Sequence, residues 1–139
     1  MAQFEPPKTE VFRKPFKVEP QFEERAKPKS YADYPSAANL PDKLKVWRVQ
    51  NSGKETYGAI SEPFAKDAPA DCEVLTTGMS GHKGPEHIAV GRQGNFLFWG
   101  FSSPPSQMTD AGKAFYLNSL VYIAKFNKPP IDRAPSGAR

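Results

Sequence analysis

The sequence contains few of the residues that most often build catalytic or metal sites. Among 139 residues there is one cysteine, Cys72, and there are two histidines. One cysteine excludes a disulfide within the chain. One thiol and two imidazoles cannot supply the four ligands of a typical structural zinc site without carboxylates or a second chain. We therefore expect no metal centre and no cofactor. A single cysteine does not distinguish an oxidising from a reducing compartment.

Long apolar runs are absent as well. No segment approaches the roughly 18 to 20 consecutive apolar residues that a transmembrane helix needs. The first seven residues, MAQFEPP, lack the basic and apolar regions of a signal peptide. These absences predict a soluble chain without a transmembrane segment or signal peptide in the sequence as given, either cytoplasmic or a processed exported form.

The chain has no block of basic residues. Nineteen Lys and Arg residues stand against fifteen Asp and Glu, a formal net charge of +4, and both signs are spread along the sequence. Proteins that bind nucleic acid concentrate basic side chains on one face or segment, so we expect no nucleic-acid partner. Nucleic-acid binding through the modest positive charge is kept as a weaker alternative.

Residues 1–41 form a segment that we call the N-terminal arm. Seven of the fifteen prolines fall in it, which leaves no uninterrupted run for a stable helix and predicts extended chain. Apolar and charged residues alternate at 11–15 and 16–20, a pattern typical of a strand laid on a surface. The arm is either a flexible tail or a set of aromatic anchors that dock onto its own domain or another subunit. The candidate partner-binding residues are Phe4, Phe12, Phe16, Phe22, Tyr31 and Tyr34.

Residues 42–128 have the pattern of one compact domain, followed by a loose tail at 129–139. Strands are predicted at 43–49, 56–60, 73–77, 87–92 and 96–101, and a helix capped by Thr109 at 110–126. The run 96–101 is apolar on both faces, which favours a central strand. The fold class is α/β or α+β: a small mixed or antiparallel sheet with one C-terminal helix packed on it, behind the extended arm. Because the helix is apolar around more than one stripe, the arm or a partner should cover its second side.

The segment from Gly84 to Phe101, GPEHIAVGRQGNFLFWGF, and the helix after it resemble a known family. Over about residues 71–128 the chain is similar to the C-terminal part of ThuA-like (trehalose-utilisation) class I glutamine amidotransferase-like domains. The resemblance implies an antiparallel strand pair around a glycine turn, an apolar strand and a closing helix, and it suggests a sugar-related role.

The sequence departs from that family where catalysis would occur. The upstream half of the doubly wound domain is replaced by the arm. Cys72 lies between Asp71 and Glu73 instead of in a glycine-flanked nucleophile elbow, and the family's His-Pro-Glu order is replaced by Pro85-Glu86-His87. We therefore assign no catalytic residue.

Several residues are candidates for a ligand site, each with a plainer interpretation. Trp47 and Trp99, with Tyr57, could stack on a sugar or simply fill the core. His82 and His87 could hold a metal with Glu86, although loop spacing fixes no geometry. The glycine-rich loop 78–84 could hold an anion through backbone N–H groups and Lys83, or be a flexible connection. Cys72 could be a nucleophile beside a histidine, or a buried small apolar residue. The possible ligand-binding residues are Trp47, Trp99, His82, Lys83 and His87.

Together these patterns favour a non-catalytic accessory or structural subunit. Its N-terminal arm would dock it onto a larger protein assembly or a homo-oligomer. The alternative is a carbohydrate-binding or carbohydrate-processing ThuA-like protein.

Overall fold

A computed structural model describes residues 2–3, 9–51 and 58–132 of the chain. Phe4, Tyr57 and the strand predicted at 56–60 lie wholly or partly outside these residues. The strands are β1 (Ala2–Gln3), β2 (Phe22–Ala26), β3 (Lys43–Trp47), β4 (Cys72–Gly78), β5 (Ile88–Gln93) and β6 (Phe96–Trp99), and the α-helix is α1 (Asp110–Ile123). Short 3-10 helices lie at Glu10–Phe12, Lys29–Asp33, Pro35–Ala37 and Pro105–Gln107.

The described strands pair antiparallel in the order β2-β3-β1-β4-β5-β6. Among the described residues, the strand groups β2–β3 and β4–β5–β6 are connected within the sheet only through β1, whose two residues pair with Val46 and Trp47 on one side and with Thr77 and Gly78 on the other. The predicted α+β fold with small antiparallel strands and one C-terminal helix is confirmed. The domain boundaries at residues 41 and 128 stay predictions.

The predicted central position of residues 96–101 was wrong. β6 pairs only with β5 and lies at the edge of the sheet in the described part of the chain. Its two apolar faces have separate covers: Leu97 and Trp99 pack into the core beneath α1, whereas Phe96 and Phe98 line a cleft with Phe64 on the opposite face. An apolar run on both faces therefore does not require a neighbouring strand on each side.

The alternating residues at 11–15 and 16–20, a pattern typical of a strand laid on a surface, form no strand within the described chain. Glu10–Phe12 is a 3-10 helix, and the one described strand of the arm between residues 9 and 41 is β2 at Phe22–Ala26. Prolines 15 and 20 lack the backbone N–H that a paired strand donates, so they interrupt pairing at those positions.

Helix α1 begins at the residue that the sequence predicts. The Thr109 side chain accepts a hydrogen bond from the Gly112 N–H at 3.0 Å, and Asp110 occupies the first turn. The Thr109 hydroxyl also donates to the Arg48 carbonyl at 2.7 Å, which ties the start of α1 to the end of β3. The helix ends at Ile123, three residues before the predicted end at Phe126.

The core beneath α1 is built from aromatic side chains of three parts of the chain. Phe12 of the arm stacks on Phe115 of α1 with ring centroids 4.8 Å apart, and Trp47 of β3 meets Phe115 edge to face at 5.8 Å. A second, smaller cluster contains Tyr31, Ala37, Leu44 and Val46. Both clusters therefore combine arm residues with side chains from beyond residue 41.

Candidate protein-binding site

The described part of the arm packs onto its own chain. Phe12 is 3% exposed and Tyr31 is 1% exposed, each within one of the two core clusters. The sequence left open whether the arm docks onto its own domain or onto another subunit. In the structure these two side chains pack against their own domain. They present no surface to another subunit.

Asn118, in the middle of α1, fastens the arm to the helix. Its amide Nδ2 donates to the carbonyl oxygens of Val11 at 2.8 Å and Phe16 at 2.6 Å, and its Oδ1 accepts from the Phe16 N–H at 3.0 Å. The side chain is fully buried, so each of these bonds satisfies a group that would otherwise lose its contact with water. Asn118 was not among the predicted site residues, although an asparagine within the apolar part of a helix is a signal that could have identified it.

Three other aromatic residues of the arm lie at or near the surface. Phe16 is 50% exposed and Phe22 is 37% exposed, with the Lys45 ammonium 4.6 Å from the Phe22 ring centroid. Tyr34 is partly buried, with its ring edge-to-face on His87 at 5.5 Å. Of the predicted anchors in the described arm, Phe16 and Phe22 are therefore the ones that retain accessible rings.

The side of α1 that points away from the sheet is apolar. Leu117 is 45% exposed, Leu120 is 42% exposed and Val121 is 48% exposed, and Ala124 is exposed beyond them. We call these four residues the outer helix face. They recur at helical spacing, so they form one continuous surface opposite the buried Phe115 and Ser119.

Charged residues stand at the two ends of the outer helix face. Asp110 and Lys113 lie 3.9 Å apart in the first turn, with the Asp110 side chain fully exposed. Beyond the last turn, the Lys125 ammonium lies 2.7 Å from the Glu10 carboxylate. The hydrogen bond from Lys125 lowers the pKa of the Glu10 carboxyl. The apolar stretch is thus bounded by ions of both signs.

A second apolar surface lies on the sheet. Phe96 is 61% exposed and Val74 is 41% exposed, and Phe64 and Phe98 line a cleft of about 200 Å³ between them and Gly91. Part of this surface is covered by residues 61–64 of the same chain. The described chain therefore has two exposed apolar areas, one on α1 and one on the sheet.

The two tryptophans do not form a stacking platform. Trp47 is fully buried in the core, and Trp99 is partly buried among the rings of Phe101, Phe115 and Tyr116, with centroids 5.0 to 5.4 Å from its own. A platform for a sugar needs an accessible ring face. Trp47 presents none, so the two rings act together only within the core.

The loop candidates His87 and Lys83 converge on one carboxylate. His87 is 2% exposed, and its Nδ1 and Nε2 lie 3.1 Å from the Gly84 carbonyl and from Glu62 Oε2. The Lys83 ammonium donates to Glu62 Oε1 at 3.0 Å and is the main reason that the pKa of Glu62 is lowered. His82 lies on the exposed loop, where its N–H donates to Ser80 Oγ. Among the described residues no three His, Cys, Asp or Glu side chains are grouped as metal ligands.

Cys72 is remote from His87. It pairs with Gln93 at one end of β4, whereas Thr77 at the other end pairs with Ile88, next to His87. Five residues of strand separate these positions by about 17 Å. Burial, followed by the neighbouring Asp71, raises the pKa of the Cys72 thiol, which disfavours the nucleophilic thiolate.

Comparison of the chain with protein-family models, with curated proteins and with solved structures found no match. The similarity to ThuA-like domains therefore stays a prediction from the sequence. In the described residues no helix has the length and apolar character needed to cross a membrane.

Proposed function

We propose that this protein is a non-catalytic structural subunit that assembles with other protein chains through the outer helix face of α1. The observation that carries the proposal is the half-exposure of Leu117, Leu120 and Val121 on one continuous surface. Single exposed apolar residues are ordinary on protein surfaces, but contiguous ones mark surfaces that bind other proteins.

The size of the surface supports a specific but limited contribution to binding. Burying the exposed half of a leucine or valine contributes on the order of 1 kcal/mol, since burying the whole side chain contributes about 1.5 to 3 kcal/mol. The outer helix face alone would therefore give weak association. A stable complex requires neighbouring surface as well.

Phe16 is suited to extend this surface. Its backbone is hydrogen-bonded to the side chain of Asn118, the residue next to Leu117, and its ring is half exposed. In this proposal the arm contributes to binding in two ways: its buried part braces α1, and Phe16 adds an aromatic ring beside the helix. The arm is then a component of the docking surface and not a separate tether.

Co-purification with paired variants tests the proposal. The tagged chain is isolated from its source cells, together with an untagged copy, as wild type, as Leu117→Lys/Val121→Lys, and as the control Ser36→Lys/Asn39→Lys. The control adds the same charge at two exposed positions outside α1. We expect wild type and control to retain a protein component in fixed ratio and the helix variant to lose it.

Two further results would overturn the assignment. If the helix variant keeps its protein component while its circular dichroism shows a folded chain, the outer helix face is not the docking surface. If Val74→Lys/Phe96→Lys loses the component and the helix variant does not, the sheet surface is the docking site. Leu117→Ser/Val121→Ser repeats the test with uncharged residues in case the lysine pair unfolds.

The carbohydrate alternative stays a prediction, because no described contact favours it. A glycan-binding screen of wild type and Trp99→Ala tests this alternative. Sugar binding by wild type that a folded Trp99→Ala variant loses would contradict a purely structural role.

A further inference from the structure

We propose that the outer edge of β6 binds an extended strand of another protein, which adds to the sheet and carries apolar side chains at alternate positions. This surface goes beyond the outer helix face, because it lies at the sheet edge and on the face of the sheet opposite α1. Three features carry the proposal: the direction of the β6 backbone groups, the lack of charge on this strand, and the apolar cleft beside it.

The backbone groups of Leu97 and Trp99 point away from the sheet. The Gly100 N–H donates to the Ala89 carbonyl oxygen at 2.8 Å, so Gly100 faces β5. Successive residues of a strand direct these groups to opposite sides, and Phe98 therefore also faces β5. Leu97 and Trp99 direct theirs outward, and among the described residues no further strand pairs with β6 on that side. Only another extended backbone has donors and acceptors at the spacing that matches them.

The two outer strands of the described sheet differ in charge. β2, at one edge, contains Glu23, Glu24 and Arg25, and charged side chains on an edge strand discourage pairing with another chain. β6, at the other edge, reads Phe-Leu-Phe-Trp and contains no charged residue, proline or glycine. A strand edge without such protection is a template for pairing with another chain.

The apolar cleft beside β6 gives the added strand a second contact. Phe96 is 61% exposed, and Phe98 lines the cleft of about 200 Å³ together with Phe64 and Gly91. Every second side chain of a strand points to the same face, so alternate side chains of an added strand would lie beside Phe96 and Phe98. Because β6 offers only two outward-facing residues, these apolar contacts are needed as well as the hydrogen bonds. The occupant is therefore a strand with apolar side chains at alternate positions.

Amide exchange measured by NMR on the full chain tests the proposal in the free and the bound state. The probe is a short synthetic peptide in which valine alternates with threonine. In the free chain we expect the Leu97 and Trp99 amides to exchange about tenfold or more faster than the Phe98 amide. Saturating peptide should slow exchange at Leu97 and Trp99 by about tenfold or more and leave Phe98 unchanged, since its N–H is already bonded to β5. No slowing at millimolar peptide overturns the proposal.

Two methylated peptides separate strand pairing from apolar contact. One is methylated on the threonine nitrogens and the other on the valine nitrogens, so both keep the same side chains. In an extended strand the N–H groups of the two residue types point to opposite sides, and only one set can face β6. We expect one methylated peptide to bind about tenfold or more weakly than the other. Equal binding by both overturns strand pairing, and this test needs only the wild-type chain.

Substitutions in the chain locate the site. Phe96→Lys/Phe98→Lys should weaken peptide binding by about tenfold, because the added charges lie beside the strand. Leu117→Lys/Val121→Lys is the control and should bind the peptide as wild type does, whatever the co-purification test decides about the outer helix face. Unchanged binding by a Phe96→Lys/Phe98→Lys variant that circular dichroism shows to be folded overturns the site. Self-association of wild type that this variant loses in ultracentrifugation would make the occupant a second copy and overturn the assignment to another protein.

Discussion

The two sides of α1 have similar apolar composition and different surroundings. On the inner side, Phe115 and Asn118 are fully buried between the sheet and the arm. On the outer side, Leu117, Leu120 and Val121 are about half exposed, and no described element covers them. Hydrophobicity along a helix thus does not separate a core surface from an assembly surface. The inner side should therefore control stability, and the outer side should control association.

The largest expected effect is on the inner side. Phe115→Ala removes the ring that contacts Phe12, Trp47 and Trp99, and we expect it to lower the free energy of unfolding by about 3 to 5 kcal/mol. Leu117→Ala, two residues further along α1 on the outer side, should lower the free energy of unfolding by less than about 1 kcal/mol. Urea unfolding of both variants measures the difference. Equal losses would remove the distinction between the two sides.

The next effect tests the link between arm and helix. Asn118→Ala leaves the Phe16 N–H and two carbonyl oxygens without their partner, and we expect a loss of about 1 to 3 kcal/mol. Amide exchange at Phe16 should accelerate together with that loss. Asn118→Asp is the informative companion, because its carboxylate can still accept from the Phe16 N–H but cannot donate to the carbonyls. Unchanged exchange at Phe16 in Asn118→Ala would show that the arm is held by other contacts.

A smaller effect appears at high pH. Burial raises the pKa of Tyr31 to about 12, and burial together with the hydrogen bond to Glu73 raises the pKa of Tyr122 to about 12. Between pH 10 and 12 the unfolded chain ionises these phenols while the folded chain does not, so the free energy of unfolding should fall as pH rises through that range. Tyr31→Phe and Tyr122→Phe should each flatten the fall. Titration of tyrosine absorbance in one step near pH 10 would contradict these shifts.

Local features of the sequence predicted local structure well. Thr109 with Asp110 marks the start of α1, and β3, β4 and β5 lie where alternating or apolar residues predict strands. These features depend on neighbouring residues, so the sequence suffices to find them. The position of β6 in the sheet did not follow, because apolar residues on both faces have the same pattern at an edge as at the centre.

Contacts between distant parts of the chain could not be predicted in the same way. Phe12 and Phe16 stand in similar sequence surroundings, yet one is 3% exposed and the other 50% exposed. The difference comes from Asn118 and Phe115, more than a hundred residues away, which turn the arm against α1. For the same reason the sequence predicts a docking site on the arm, whereas the proposed docking site is the outer helix face. That surface is defined only once the inner side of α1 is covered.

The most direct test of the central claim is the accessibility of individual methyl groups to a soluble nitroxide, measured by NMR relaxation in dilute and in assembled protein. We expect the methyls of Leu117, Leu120 and Val121 to be strongly relaxed in dilute solution and to become protected on assembly, while the exposed methyls of Val74 and Ile131 stay accessible. Equal relaxation of the α1 methyls in both states would contradict it.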